Sequence, residues 1–305
     1  MSETILTSTE LEGFALSAAP QSTLMTDGLC IESLTNGQEP EVLSFLAQRP
    51  RHTFVMAGHI RDNGLESCFN RGRFYGCRNG AGLLEGVALI GHFTLMETRS
   101  EAVLRVFARL AQSCSDIHLM MGEEEKIRRF WRHYAAVDQL PRGVCRELLF
   151  EQRWPADAFR PVPDLRLATL ADLEQVMLVQ GQMAFSESGI NPLENDPEGF
   201  RMRCARRIEQ ERVWVWAEDR RLIFKADVIS DTPEAIYLEG IHVDPRDRGK
   251  GIGTRCMSQL AQTLLARTDS LCVFVNEQSP RALSFFEQQG FKLCSYYETI
   301  FLRQK

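Results

Sequence analysis

Apolar residues in the second half of the chain recur with the two periods that separate strands from helices. Val213-Trp214-Val215-Trp216, the polar turn Glu218-Asp219-Arg220-Arg221 and the run 222–229 predict a hairpin. A further strand is predicted over 236–243, and the three strands should be antiparallel neighbours. Upstream, Leu165-Arg166-Leu167 reads as a short strand, and Thr169 with Asp172 fits a capping box that opens a helix at Leu170. Downstream of a glycine-rich segment, Cys256, Met257, Leu260, Leu264 and Leu265 have helical spacing. A strand over 271–275, a helix over 280–289 closed by Gly290, and a strand over 291–302 complete the series.

The first half repeats part of this order. It predicts a helix over 39–48, a strand over 73–77, a turn at Asn79-Gly80 and a strand over 82–90. A helix over 101–112, a strand over 117–121, a helix over 124–135 and a strand over 144–150 follow. The spacing suggests a weak internal duplication, although an unrelated α+β domain fits the pattern equally well. Pro155, Pro161 and Pro163 can continue neither a helix nor a central strand, so the domain boundary is placed there. Residues 1–28 are rich in Ser, Thr, Glu and Ala without sustained periodicity and are assigned to a flexible arm. The expected domains are therefore 29–155 and 163–305, each α+β with a mixed, mostly antiparallel sheet flanked by helices.

Composition narrows the function. The 305 residues are 44% hydrophobic and 25% charged, enough for a sizeable core in each half. A net charge of −6 argues against a broad nucleic-acid or anionic-membrane surface, and no run of about twenty apolar residues predicts a membrane span. The N-terminus carries acidic Glu3 and Glu10 and no signal-like basic segment. Nine scattered cysteines form no metal-type cluster, so reduced thiols, a cytoplasmic location and no metal are expected.

The chemistry concentrates in the run from Leu238 to Thr254, which passes from strand through turn to helix. A glycine loop at a helix N-terminus lets successive backbone N–H groups converge on an oxyanion, and the helix dipole favours negative charge. Arg246, Arg248 and Lys250 add cations, while Gly249, Gly251 and Gly253 clear the backbone. The pattern R-x-x-G-x-G differs from a dinucleotide G-x-G-x-x-G and lacks the G-K-[ST] of a P-loop. The corresponding place in the first half reads Glu97-Thr98-Arg99-Ser100-Glu101, which cannot cradle phosphates.

Val243-Asp244-Pro245 followed by 248–253 resembles motif A of the GNAT superfamily of N-acetyltransferases. A second stretch, Val275-Asn276 through Ala282 to Phe285-Phe286 and Gly290-Phe291, resembles the family's usual ending. The resemblance covers roughly 163–305, whereas 29–155 resembles only the degenerate GNAT-like domains of tandem members. It implies an acyltransferase that moves an acetyl or acyl group from acetyl-CoA to a primary amine, of a small molecule or amino acid, by direct attack. Peptide acetylation and a non-catalytic acyl-CoA sensor are the alternatives, and a homo-oligomer remains open. It also implies that the acetyl-CoA diphosphate rests on Arg248, Gly249, Lys250, Gly251, Ile252, Gly253 and Thr254. Pantetheine would lie along the strand ending at Ile241, His242 and Val243, near Asn276 and Phe286.

Glu239, four residues before Val243, stands where many family members place the proton-accepting carboxylate and is the first choice for base. Asp227, Lys225 and His242 are reserves, and alternation would put Glu239 and His242 on opposite faces of the strand. An ion pair from Lys225 or Asp227 is a simpler use of those two side chains than catalysis. Phe286 stands where the family often has tyrosine, so the acid role passes to water, Ser284 or Tyr297. The acceptor region is placed at 183–192 together with the acidic run Glu194-Asn195-Asp196-Pro197-Glu198.

Overall fold

A computed structural model describes residues 24–26, 28–136, 139–155 and 161–302. The chain forms two compact units. One comprises the described residues of Met1–Gln48, His59–Val144 and Thr299–Lys305, and the other comprises those of Arg49–Gly58 and Cys145–Glu298.

In chain order the first half supplies β1 (Leu24–Thr26), β2 (Leu29–Ser33), α1 (Glu39–Leu46), α2 (Pro50–Asn63), β3 (Gly72–Arg78) and β4 (Leu84–Gly91). After these come β5 (Phe93–Thr98), α3 (Glu101–Gln112), β6 (Leu119–Glu123) and α4 (Glu124–Tyr134). The sheet of the first unit runs β1-β2-β3-β4-β5-β6, antiparallel as far as β5 and parallel between β5 and β6. Helix α3 starts where the Ser100 side chain accepts the Val103 N–H, and its apolar stripe of Val103, Leu104, Phe107 and Ala111 is buried. Ile127 and Phe130 of α4 join the same core. Strand β1 lies inside the expected arm, of which residues 1–23 are outside the described part. Helix α2 and strand β5 have no counterpart in the sequence expectation.

The second unit begins with β7 (Gly143–Gln152) and β8 (Arg166–Leu167), then α5 (Leu173–Ser188), α6 (Pro192–Asn195) and α7 (Pro197–Glu209). Three strands follow, β9 (Val213–Glu218), β10 (Arg221–Asp231) and β11 (Ile236–Val243). The chain continues through α8 (Ile252–Leu265), β12 (Leu271–Asn276), α9 (Pro280–Gln288) and β13 (Lys292–Phe301). The order across this sheet is β8-β9-β10-β11-β12-β7-β13. The capping box at Thr169 and Asp172 forms, and it opens a single 3-10 turn before α5. Side-chain alternation sends Phe224, Val228, Ile236 and Leu238 to a core with Cys256, Met257, Leu260 and Leu264 of α8. The other face is covered by α5 and α7 and by Arg49–Gly58, the start of α2, whose Phe54 ring meets Tyr237 and Phe274.

Pro155 and Pro163 fall inside the second unit, because β7, which precedes them, pairs antiparallel with β12 from Gln152↔Leu271 to Glu147↔Asn276. The unit is thus larger than 163–305. Each unit is a mixed, mostly antiparallel sheet with helices against it, the α+β class predicted from periodicity.

Candidate active site

Strands β11 and β12 are parallel neighbours, yet they pair only at Ile236↔Leu271 and Tyr237↔Cys272. Beyond that point β11 stays with β10 as far as Val243↔Phe224, and β12 stays with β7 as far as Asn276↔Glu147. The two strands therefore part, leaving 239–243 facing 274–276 across a gap. Asp244 N–H donates to Ile223 O at 3.0 Å on the β10 side, so the preceding N–H, that of Val243, lies on the alternate edge toward the gap.

The turn after β11 is built by Asp244, whose carboxylate accepts the Arg246 N–H at 2.9 Å and opens a 3-10 turn over Pro245–Asp247. Gly249 and Gly251 then take left-handed φ values of 77° and 74°, which a side chain would strain, and Gly251 is the N-cap of α8. A glycine cap has no oxygen to offer the first amides of the helix. Among the described residues, none of the N–H groups of 249–254 donates to a protein acceptor, so the helix start presents a free set of donors. Gly253 packs where an added Cβ would lie 3.3 Å from Val243 and Phe285, which brings α8 close to its strand.

The cations of this loop are less available than their sequence suggested. Arg246 lies 3.1 Å from Asp244, Lys250 lies 2.8 Å from Asp247, and Arg221 pairs with both carboxylates. Hydrogen bonds from Arg246 and Arg221 hold the Asp244 carboxyl well below the usual range. Arg248 is exposed and donates Nε–H to Val243 O at 3.0 Å, which ties the loop back to the strand.

Glu239 and His242 do not lie on opposite faces. Gly240 has φ 61°, and the β10–β11 register steps from Lys225↔His242 to Asp227↔Glu239, so three residues of β11 span two of β10. This bulge absorbs one residue, and Glu239 and His242 both follow Asp227 and Lys225 onto the α5/α7 face. Tyr237, two residues before Glu239, donates its hydroxyl to Glu239 Oε2 at 3.0 Å. Burial and the nearby carboxylates of Glu239, Glu147 and Glu187 keep that phenol protonated. Burial and the charges of Arg248 and Lys225 push the His242 imidazole down, so it is neutral near pH 7.

Glu187, near the end of α5, lies within the expected acceptor region 183–192, although no motif singles it out there. Its own surface is accessible, yet dense surrounding protein and the charges of Glu239 and Glu147 push its carboxyl up to about 7. Lys225 and Asp227 are fully buried and pair with each other at 2.7 Å, and Asp227 also pairs with Arg207 of α7 at 3.0 Å.

The remaining candidates have defined surroundings. Asn276 is exposed; its amide donates to Cys145 Sγ at 3.2 Å and its oxygen accepts the Gln278 N–H at 2.8 Å. Phe286 is buried between Phe285 and Phe291 in the α8/α9 core, which limits its use as a ligand contact. Ser284 is exposed and accepts from Gln288, while Tyr297 is buried with its hydroxyl 2.9 Å from His52 Nδ1. Burial pushes the Cys256 and Cys272 thiols up to about 12, which makes both poor nucleophiles. In the acidic run, Asp196 caps α7 through the Gly199 N–H and binds Arg203, and Glu194 accepts from Asn191. Among the described residues no cluster of metal-binding side chains occurs, and no helix is long and apolar enough to cross a membrane.

Parted strands that feed a glycine-started helix make a distinctive combination, and residues 209–293 match the Acetyltransferase (GNAT) domain family. Over that segment the chain resembles a GNAT acetyltransferase domain. The fold over most of the chain is similar to that of a tandem GNAT protein from the clavulanic acid biosynthesis pathway, at TM-score 0.56 and 14% identity, covering 89% of this chain and 98% of that one. A Drosophila protein gives TM-score 0.60 at 11% identity, covering 90% and 98%. A GNAT-family acetyltransferase from Colwellia psychrerythraea gives 0.52 at 11% identity, covering 90% and 99%. At these identities the likeness is one of fold, and it spans both halves of the chain.

Proposed function

We propose that the second unit binds acetyl-CoA and transfers its acyl group to a primary amine of a small molecule or amino acid. The observation that carries this reading is the separation of β11 from β12 directly beside the unpartnered amides that begin α8. The amides of 249–254, at the positive end of the α8 dipole, suit a diphosphate. The gap along 241–243 suits an extended thiol arm, with Arg248, Asn276 and His242 at its margins. Val243 N–H is placed to donate to the oxyanion that forms as the amine attacks the thioester carbonyl, a contribution of about 3 kcal/mol for one well-aimed donor.

The attacking amine must be neutral. For a lysine-type amine this costs roughly 4–5 kcal/mol at pH 7, and for an α-amino group only about 1 kcal/mol. Glu239 accepts the proton as the C–N bond forms. The tetrahedral intermediate then collapses, the C–S bond breaks, and coenzyme A departs as a thiolate that takes a proton from water. The carboxylates of Glu239, Glu187 and Glu147 together favour a cationic acceptor on the α5/α7 face.

Calorimetry with coenzyme A tests the donor half of this proposal. The wild-type chain should bind it, and Gly251→Val should weaken binding by about tenfold or more, because a β-branched residue cannot hold the left-handed cap. No measurable binding by the wild type would sink the reading. A sensor without turnover, which the missing phenol at Phe286 favours, is separated by Glu239→Gln. An enzyme should lose about a hundredfold or more in amine-dependent coenzyme A release with its coenzyme A affinity kept, whereas a sensor has no such release to lose.

A further inference from the structure

A lysine that is 0% exposed in the middle of a sheet is costly, since an ammonium loses several kcal/mol of hydration on burial unless its surroundings replace it. Lys225 lies on β10 opposite the β11 bulge. Its Nζ is 2.7 Å from Asp227 Oδ1, a contact of charge more than of aligned hydrogen bonding, and it donates to Gln180 Oε1 of α5 at 2.8 Å. The same ammonium is 3.5 Å from Gly240 O. A Cβ built on Gly240 would sit 2.8 Å from Lys225 Nζ, 3.0 Å from Gln180 Oε1 and 3.3 Å from Asp227 Oδ2. Three polar groups from β10 and α5 thus close around one glycine, at the point where β11 gains its extra residue. Asp227 is also held at 3.0 Å by Arg207 of α7, so the carboxylate keeps a cation of its own.

We propose that Lys225 is a positioning residue whose ammonium, anchored by Asp227 and Gln180, locks the β11 bulge at Gly240 and thereby sets Glu239 and His242 on one face. The proposal rests on the reading of β11 as the strand along which acyl transfer occurs. Without the lock, β11 can relax toward regular pairing, and one residue of slip would send Glu239 to the α8 face. Charge balance alone does not call for the lysine, because Asp227 would keep the Arg207 guanidinium as its counter-ion without it. What a methionine cannot supply is the polar contact with Gln180 and the Gly240 carbonyl. The network also joins the bulge to α5 and α7, the two helices that cover the site, so their placement and the strand's register are set by the same charge.

The test is Lys225→Met in the full-length chain, which leaves the Asp227–Arg207 pair in place. Because Asp227 keeps the Arg207 cation, the thermal midpoint should fall by a few degrees and the variant should still fold. Hydrogen exchange at 240–243 should accelerate about tenfold or more, while amides of β12 keep their protection. Amine-dependent coenzyme A release should fall about tenfold in kcat, with the affinity for coenzyme A changed less than about threefold. Gln180→Leu should reproduce the exchange effect in weaker form and serves if the lysine variant does not fold. Unchanged exchange at 240–243 in a folded variant overturns the proposal. Absence of coenzyme A binding by the wild type overturns the functional reading instead, and the exchange result still decides whether Lys225 fixes the bulge.

Discussion

The two units solve the same local problem in opposite ways. In both, a strand runs parallel to its neighbour for only two residue pairs, Phe93↔Leu119 and Thr94↔Met120 in the first and Ile236↔Leu271 and Tyr237↔Cys272 in the second. In both, a helix follows that strand, α3 from Glu101 after β5 ends at Thr98 and α8 from Ile252 after β11 ends at Val243. In the first unit the helix is capped by its own Ser100, β5 follows β4 in unbroken register, and the buried carboxylate of Glu97 has the Lys126 ammonium at 2.7 Å. In the second unit the cap is a glycine, the strand is bulged at Gly240, and three carboxylates share one face. The first arrangement satisfies its polar groups internally; the second leaves donors and negative charge directed outward. What separates two units of similar fold is which amides and carboxylates the chain has already used.

Three experiments sharpen this contrast. The largest effect is expected from a chain cut to 163–305. It lacks β7, the full-length antiparallel partner of β12, and Arg49–Gly58, which covers Tyr237 and Phe274. Buried Leu148, Phe150 and Phe54 would be lost with them, and at about 1.5–3 kcal/mol each this approaches the whole stability of a domain. The fragment should show no cooperative thermal transition by circular dichroism, and a sharp melt near that of the full chain would refute the claim that the second unit depends on the first half of the sequence.

Next in size, Lys126→Met in the first unit removes the cation from a carboxylate that is only 4% exposed. Urea unfolding should report a loss of about 3 kcal/mol, as expected when one partner of a buried pair is taken away. Coenzyme A affinity should be unaffected, since the first unit is read as having no part in donor binding. The smallest effect concerns Glu187, whose carboxyl is raised to about 7 from an ordinary 4.5. Below pH 4.5 it is protonated both folded and unfolded and has no influence on stability. Between 4.5 and 7 the unfolded chain ionises first, so the native state loses ground, and above 7 the penalty is complete. Glu187→Gln should therefore match wild type at pH 4 and exceed it by about 1 kcal/mol at pH 8, a figure reduced for solvent screening at an accessible side chain.

Much of this is legible in the sequence. Helix α3 spans the predicted 101–112, the helix predicted over 280–289 starts at Pro280, and a helix carrying Cys256 to Leu265 follows the glycine loop. These features are encoded locally, by period, cap and turn chemistry. What escaped was encoded at a distance. Helix α2 opens at Pro50 with too weak an apolar stripe to be noticed, and its buried residues answer to Tyr237 and Phe274, far along the chain. The bulge at Gly240 reversed an inference from simple alternation, and only the pairing with β10 reveals it. Glu187 carries no motif, because its altered proton affinity comes from burial and from the carboxylates of Glu239 on β11 and Glu147 on β7. Arg246 and Lys250 look in sequence like cations for a ligand, whereas in the fold Asp244 and Asp247 share their charge.

Strand β7 has a consequence for biosynthesis. It leaves the ribosome with the first half of the protein, while β12, along which it lies, is made only after β8 to β11 and α8. For a chain growing at about 5–20 residues per second, the interval is several seconds to half a minute, during which a strand rich in Leu and Phe has no completed sheet to enter. The nascent chain must hold that segment back from other strands, and efficient production of the protein should be sensitive to chaperone supply during that interval.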